Sequence, residues 1–191
     1  LSSNNSYATV GFSAISTESQ GLIAYGFDFS DIPSSALITG ILVEVERKEG
    51  EASDNLFTSH IQLMVEGTLV GGNRAFVSMA LGATEWTTAD VYESWGSSTD
   101  TWNIGLTRAD VQALGVYFQA SMDATGDGSG TGSIDHIRVT ITYRLPGTAI
   151  SLPIGGWSTG PLPSNPTRWP LILPTVDEEA TVLTPRELWF A

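Results

Sequence analysis

The chain has 191 residues, with 21 Asp and Glu against 8 Lys and Arg, a net charge of −13. That balance excludes a nucleic-acid partner, because phosphate binding needs clustered basic side chains, and Lys48 is the only lysine. Without cysteine there is no disulfide framework and no thiolate metal site. No apolar run approaches the roughly 20 residues that carry a helix across a bilayer, so no membrane partner is expected.

In chain order, a Ser- and Asn-rich stretch (residues 1–6, with an "NNS" sequon at Asn4) precedes "SQGLIAYGFDFS", which predicts a strand. In "ITGILVEVERKEG" the apolar set Ile41, Val43 and Val45 alternates with Glu44, Glu46 and Lys48, the period of a half-buried strand. "NLFTSHIQLMVEG" reads as another strand. Weaker strand signals lie at residues 74–80 and 84–92. "LTRADV" predicts one helical turn, with Thr107 as cap and Asp110 near its positive end. "ALGVYFQASM" places Leu114, Val116, Phe118, Ala120 and Met122 on one face. In the last clear strand Ile137, Val139, Ile141 and Tyr143 face one way, and His136, Arg138, Thr140 and Thr142 the other. Short strands joined by Gly, Ser, Asp and Asn turns predict an all-β protein, an antiparallel jelly-roll-type β-sandwich over residues 1–145.

Beyond Leu145 the pattern stops. Eight of the nine prolines lie in residues 146–191, and proline cannot donate to a sheet ladder. The expectation is a second region, an extended Pro-rich C-terminal arm. "TPRELWFA" admits a short terminal helix or strand, with Pro185 at its first turn. Three of six tryptophans fall in this arm, whereas a disordered linker would be depleted in them. Trp157, Trp169, Leu171, Leu173, Leu188, Trp189 and Phe190 are therefore the predicted partner-binding residues. Apolar anchors spaced between prolines suit docking on neighbouring subunits, since proline lowers the entropy lost on binding.

Four candidate chemistries can be weighed. Asp123, Thr125, Asp127 and Gly128 imitate the start of a calcium loop, but Ile134 stands where the bidentate Glu belongs; a hairpin connection is expected, with no metal. His60 and His136, the only histidines, sit in strands without a nucleophile elbow, so no Ser-His-acid site is expected. Glu44 and Glu46 share a strand face with Lys48, which solvation explains better than glycoside hydrolysis. Trp86, Tyr92, Trp95 and Trp102 are either a sugar-stacking set or rings that close the sandwich; the second is expected. No cofactor and no catalytic residue are assigned, and the protein is read as not an enzyme.

"GLIAYGFDFSDIPSSALITGILVEVERKEG", "WGSSTDTWNIGLTRADVQALGVYFQA" and "IDHIRVTITYR" together resemble a β-sandwich domain of tailed-bacteriophage structural proteins. The resemblance covers roughly residues 20–144 and leaves the arm outside. It implies a virion protein, first of all a capsid-decoration or head-fibre protein and next a tail component. The implied partners are copies of itself in a homo-oligomer, or other virion proteins. The alternative is a carbohydrate-binding or adhesive module of a tail fibre or bacterial surface protein, with a host-surface glycan as partner.

Overall fold

Alternation of branched apolar and polar side chains gives two long strands, and these organise the molecule. They are β3 (Leu37–Glu49) and β8 (Gly130–Arg144), paired antiparallel along nearly their whole length. The structure, a computed structural model, describes residues 6–76, 79–146, 180–182 and 186–189. Further strands are β1 (Ala8–Phe12), β2 (Leu22–Tyr25), β4 (Leu56–Val65), β5 (Thr68–Val70), β6 (Val91–Ser97) and β7 (Leu114–Met122). Two short ones follow in the C-terminal region, β9 (Ala180–Val182) and β10 (Arg186–Trp189).

The strands form two antiparallel sheets. Sheet A has the order β1-β8-β3-β6, and β9 and β10 also pair with β8; sheet B has the order β2-β7-β4-β5. The inward sets meet between them. Ile41, Val43 and Val45 of β3 and Ile137, Val139 and Ile141 of β8 face Leu56, Ile61, Leu63, Val116 and Phe118 of sheet B. All are 1% exposed or less, and each such side chain contributes roughly 1.5–3 kcal/mol by leaving water. The five strands expected from alternation are present. Helix α1 (Arg108–Gln112) is capped as expected: Thr107 accepts from the Asp110 backbone, and the Asp110 carboxylate accepts from the Thr107 N–H at 2.8 Å.

Three expectations are corrected. Residues 74–80 supply no strand among those described; Met79–Leu81 form a 3₁₀ turn. The strand expected at 84–92 instead runs from Val91 to Ser97, because Trp86 dives into the core at 2% exposure and pins the chain before it. Within "SQGLIAYGFDFS" only Leu22–Tyr25 is strand; Gly26 takes φ +89°, and Phe27 and Phe29 are buried from a loop. β1 and β5 carry no clear alternation and were not expected.

Candidate functional site

The site is built on the outer edge of β8. β3 occupies one side of this 15-residue strand. On the other side β1 covers only Gly130–Ile134, leaving the rest of the edge without a partner from the sandwich. The C-terminal strands take that place: β10 sets Arg186–Trp189 against Val139–His136, and β9 sets Ala180–Val182 against Arg144–Thr142. An edge strand is a row of unsatisfied N–H and C=O groups, so it accepts any extended segment of matching register. Here it accepts the end of its own chain.

The outer face beside this edge is a charged network. Arg138 of β8 grips Glu44 of β3 with both nitrogens, Nε and Nη2, each at 2.6 Å. Its guanidinium carbon lies 4.4 Å from the Tyr92 ring centroid. The Tyr92 hydroxyl reaches across β3 to His136 Nδ1 at 2.7 Å. Between them Glu46 is only 7% exposed. The register slips between Glu46 and Arg47, so Asp135 is the extra residue of a bulge and is fully buried beside His136.

Burial drives the proton chemistry of two glutamates. Glu46 is pushed above its ordinary value of 4.5 first by desolvation, partly offset by the Tyr92 hydrogen bond and reinforced by Asp135 and Asp90. Glu49, 2% exposed, is raised by the same cause, although it accepts from the Leu56 N–H at 3.1 Å. A raised folded-state value means the native state holds the proton more tightly. Its contribution is complete below pH 4.5 and is lost as pH rises through the raised values. Mutual repulsion of the net −13 charge acts in the same direction. The melting temperature is therefore expected to be higher near roughly pH 5 than near pH 8, with a Glu46→Gln/Glu49→Gln double variant flattening the slope. An equal or higher melting temperature at the alkaline end would refute this account.

Of the predicted partner-binding residues, Leu188 and Trp189 lie on β10, in register with Ile137 and His136 of β8. Trp157, Trp169, Leu171, Leu173 and Phe190 lie outside the described residues. "TPRELWFA" takes the strand option, at Arg186–Trp189. The arm was expected to leave the sandwich; its two described strands return to sheet A, because the bare β8 edge offers main-chain partners that polyproline-like chain lacks.

The other candidates resolve into structure. Trp86, Trp95 and Trp102 are 2%, 9% and 0% exposed, rings that close the sandwich. Asp123 Oδ1 accepts from the Thr125 N–H at 3.1 Å, and Asp127 bonds the Ser129 N–H and the Ser53 hydroxyl, both at 2.9 Å. The β7–β8 connection, expected as a hairpin, instead crosses from sheet B to sheet A; Asp123 shapes it and Asp127 fastens it to the β3–β4 loop. Among the described residues no cluster of three or more His, Asp or Glu is placed to hold a metal. His60 Nε2 meets Gln62 Oε1 at 2.8 Å and its ring stands edge-on to Tyr117. Sequence reasoning missed the β8 edge as a receiving surface. The signal was there: the β8 pattern is far longer than the short N-terminal segment that could cover it.

No protein-family model, no curated protein and no solved structure matches the chain.

Proposed function

We propose that the chain is a non-enzymatic structural protein of a tailed-phage particle. It is a capsid-decoration or head-fibre subunit that assembles with copies of itself or other virion proteins through residues 146–191. The observation that carries this reading is the pairing of β9 and β10 with the β8 edge. An edge that accepts this segment from its own chain accepts it from an identical neighbour by the same hydrogen bonds. Residues 145–179, roughly 35 in number, have a contour of up to about 115 Å, several times the radius of a domain this size. Either edge is within reach.

The sandwich is proposed to be a jelly roll. Strand orders β1-β8-β3-β6 and β2-β7-β4-β5 support it, since successive strands cross between sheets as in two wrapped Greek keys. Jelly rolls serve in viral capsids and also in lectins. The second reading, a carbohydrate-binding or adhesive module, draws nothing from the three buried indoles and rests instead on one exposed aromatic of sheet B, Tyr25.

The test is truncation after Pro146. The described core ends at Tyr143, so the shortened chain should melt cooperatively, several degrees lower, and be absent from assembled particles. Loss of cooperative melting would assign the arm to its own core, and normal incorporation would sink the assembly reading. A second measurement separates exchange from self-pairing. The chain has no cysteine, and Glu187 stands opposite Arg138. An Arg138→Cys/Glu187→Cys variant should form disulfides between chains in particles; bonds only within chains would overturn exchange.

A further inference from the structure

We infer that the outer face of sheet B binds a neutral oligosaccharide. The inference rests on the second reading above and not on the arm.

Strand order brings together residues that are far apart in sequence. Along one row Tyr25, Gly115, Met64 and Leu69 are cross-strand neighbours on β2, β7, β4 and β5. Tyr25 is 73% exposed, and Leu69 43%. Gly115 makes a trough: a Cβ there would meet Ala24 O at 2.9 Å and the Cβ atoms of Tyr25 and Met64 at 3.6 and 3.7 Å. In the next row Ile23, Tyr117 and Gln62 are neighbours. Gln119 and His60 pair in the third.

The polar side chains are held in place by one another. Gln62 spends its amide N–H on Gly71 O at 2.9 Å, so its oxygen must be the acceptor for His60 Nε2. Gln119 donates to Ser19 O at 2.9 Å, which leaves its side-chain oxygen for a ligand. Rigid amides on the same sheet face as an exposed phenol ring, one and two rows along from it, suit a ligand of several sugar rings. The C–H face of a pyranose packs on the electron-rich ring face, while its hydroxyls donate to and accept from groups at the ring's edge.

Charge and size choose the occupant. None of these positions carries Asp, Glu, Lys or Arg, in a chain with 21 acids, and the one imidazole, His60, is engaged with Gln62. Sheet A, by contrast, presents Glu44, Glu46, Lys48 and Arg138 outward. An uncharged face gives no purchase to an acidic or basic ligand. Four strands spaced about 4.8 Å apart and three alternating positions along them span about 14 by 14 Å. That is far below the roughly 800 Å² per partner of a stable protein interface, and it suits a chain of a few sugar rings.

The test is an array of neutral and sialylated oligosaccharides probed with the full chain, followed by calorimetric titration with cellotriose, maltotriose and mannotriose. Retention of a neutral oligosaccharide, unchanged in about 0.5 M NaCl, is expected. Tyr25→Ala should weaken it about tenfold or more, and Tyr25→Trp should retain it. At 73% exposure Tyr25 tolerates both changes without loss of fold, which a melting curve checks. Binding to sialylated glycans only, no binding to any neutral glycan, or indifference to Tyr25→Ala would overturn the inference. So would a wild-type dimer that Tyr25→Ala converts to monomer, since the occupant would then be a second copy. Particle incorporation is scored separately, so failure here leaves the arm untouched and failure of the arm leaves this face untouched.

Discussion

Replacing Glu93 by Ala should destabilise the protein by about 3 kcal/mol or more, an effect larger than its place near a sheet edge suggests. Glu93 accepts from Arg47 Nε at 2.8 Å, and Arg47 is 2% exposed. The guanidinium carbon lies 5.2 Å from the Trp86 ring centroid. The same carboxylate oxygen accepts from the Thr58 hydroxyl at 2.8 Å, and Trp86 Nε1 donates to that hydroxyl at 3.3 Å. Removing Glu93 strands a cation between the sheets, where burial already lowers its affinity for the proton. Swapping both partners for apolar residues, as in Arg47→Met/Glu93→Leu, should recover most of the loss. Denaturant unfolding of the three proteins decides the matter. A loss below about 1 kcal/mol for Glu93→Ala would mean that the pair behaves as a surface ion pair.

Trp102→Ala is the second large change, expected to cost about 3–5 kcal/mol. The indole is fully buried, its Nε1 donates to Ile41 O at 3.1 Å, and Arg74 stands 5.3 Å above the ring. Its own backbone sits at φ +57°, held by the Asp100 carboxylate, which accepts from the Trp102 N–H at 2.7 Å. Gly96 makes room for this contact. At φ +84°, a Cβ there would lie 2.1 Å from Ile41 O and 2.7 Å from Trp102 Nε1. Gly96→Ala should therefore be comparably damaging although it adds apolar surface. Urea midpoints that leave Gly96→Ala near wild type would show that the indole is not anchored through Ile41.

Much of this was legible in the sequence where a strand is long and its two faces differ in polarity. Ile41, Val43 and Val45 against Glu44 and Glu46 read correctly because burial and alternation agree. The same phase points Arg47 inward, and there alternation alone misleads: only Glu93, 46 residues away, explains a buried cation. β1 and β6 were hard to read because they are short, Gly11 and Gly96 interrupt their outward faces, and the inward set of β6 includes Glu93. The bulge at Asp135 depends on pairing and leaves no local mark. The outer face of sheet B, where Ile23, Tyr25, Gln62 and Gln119 meet, was not read from the sequence, because only strand order makes these separate strands one surface.

The edge of β8 holds one more consequence. β1 runs antiparallel to β8 with Ala8 opposite Ile134, and β10 runs in the same sense as β1, with Trp189 opposite His136. The last described residue of the chain and the first of β1 thus stand two β8 positions apart, about 7 Å, facing Asp135 between them. β9, β10 and β1 are successive pieces of one interrupted strand. One side of β8 is thus lined by three segments laid end to end in the same direction, and a single residue, the bulged Asp135, marks the join between β10 and β1.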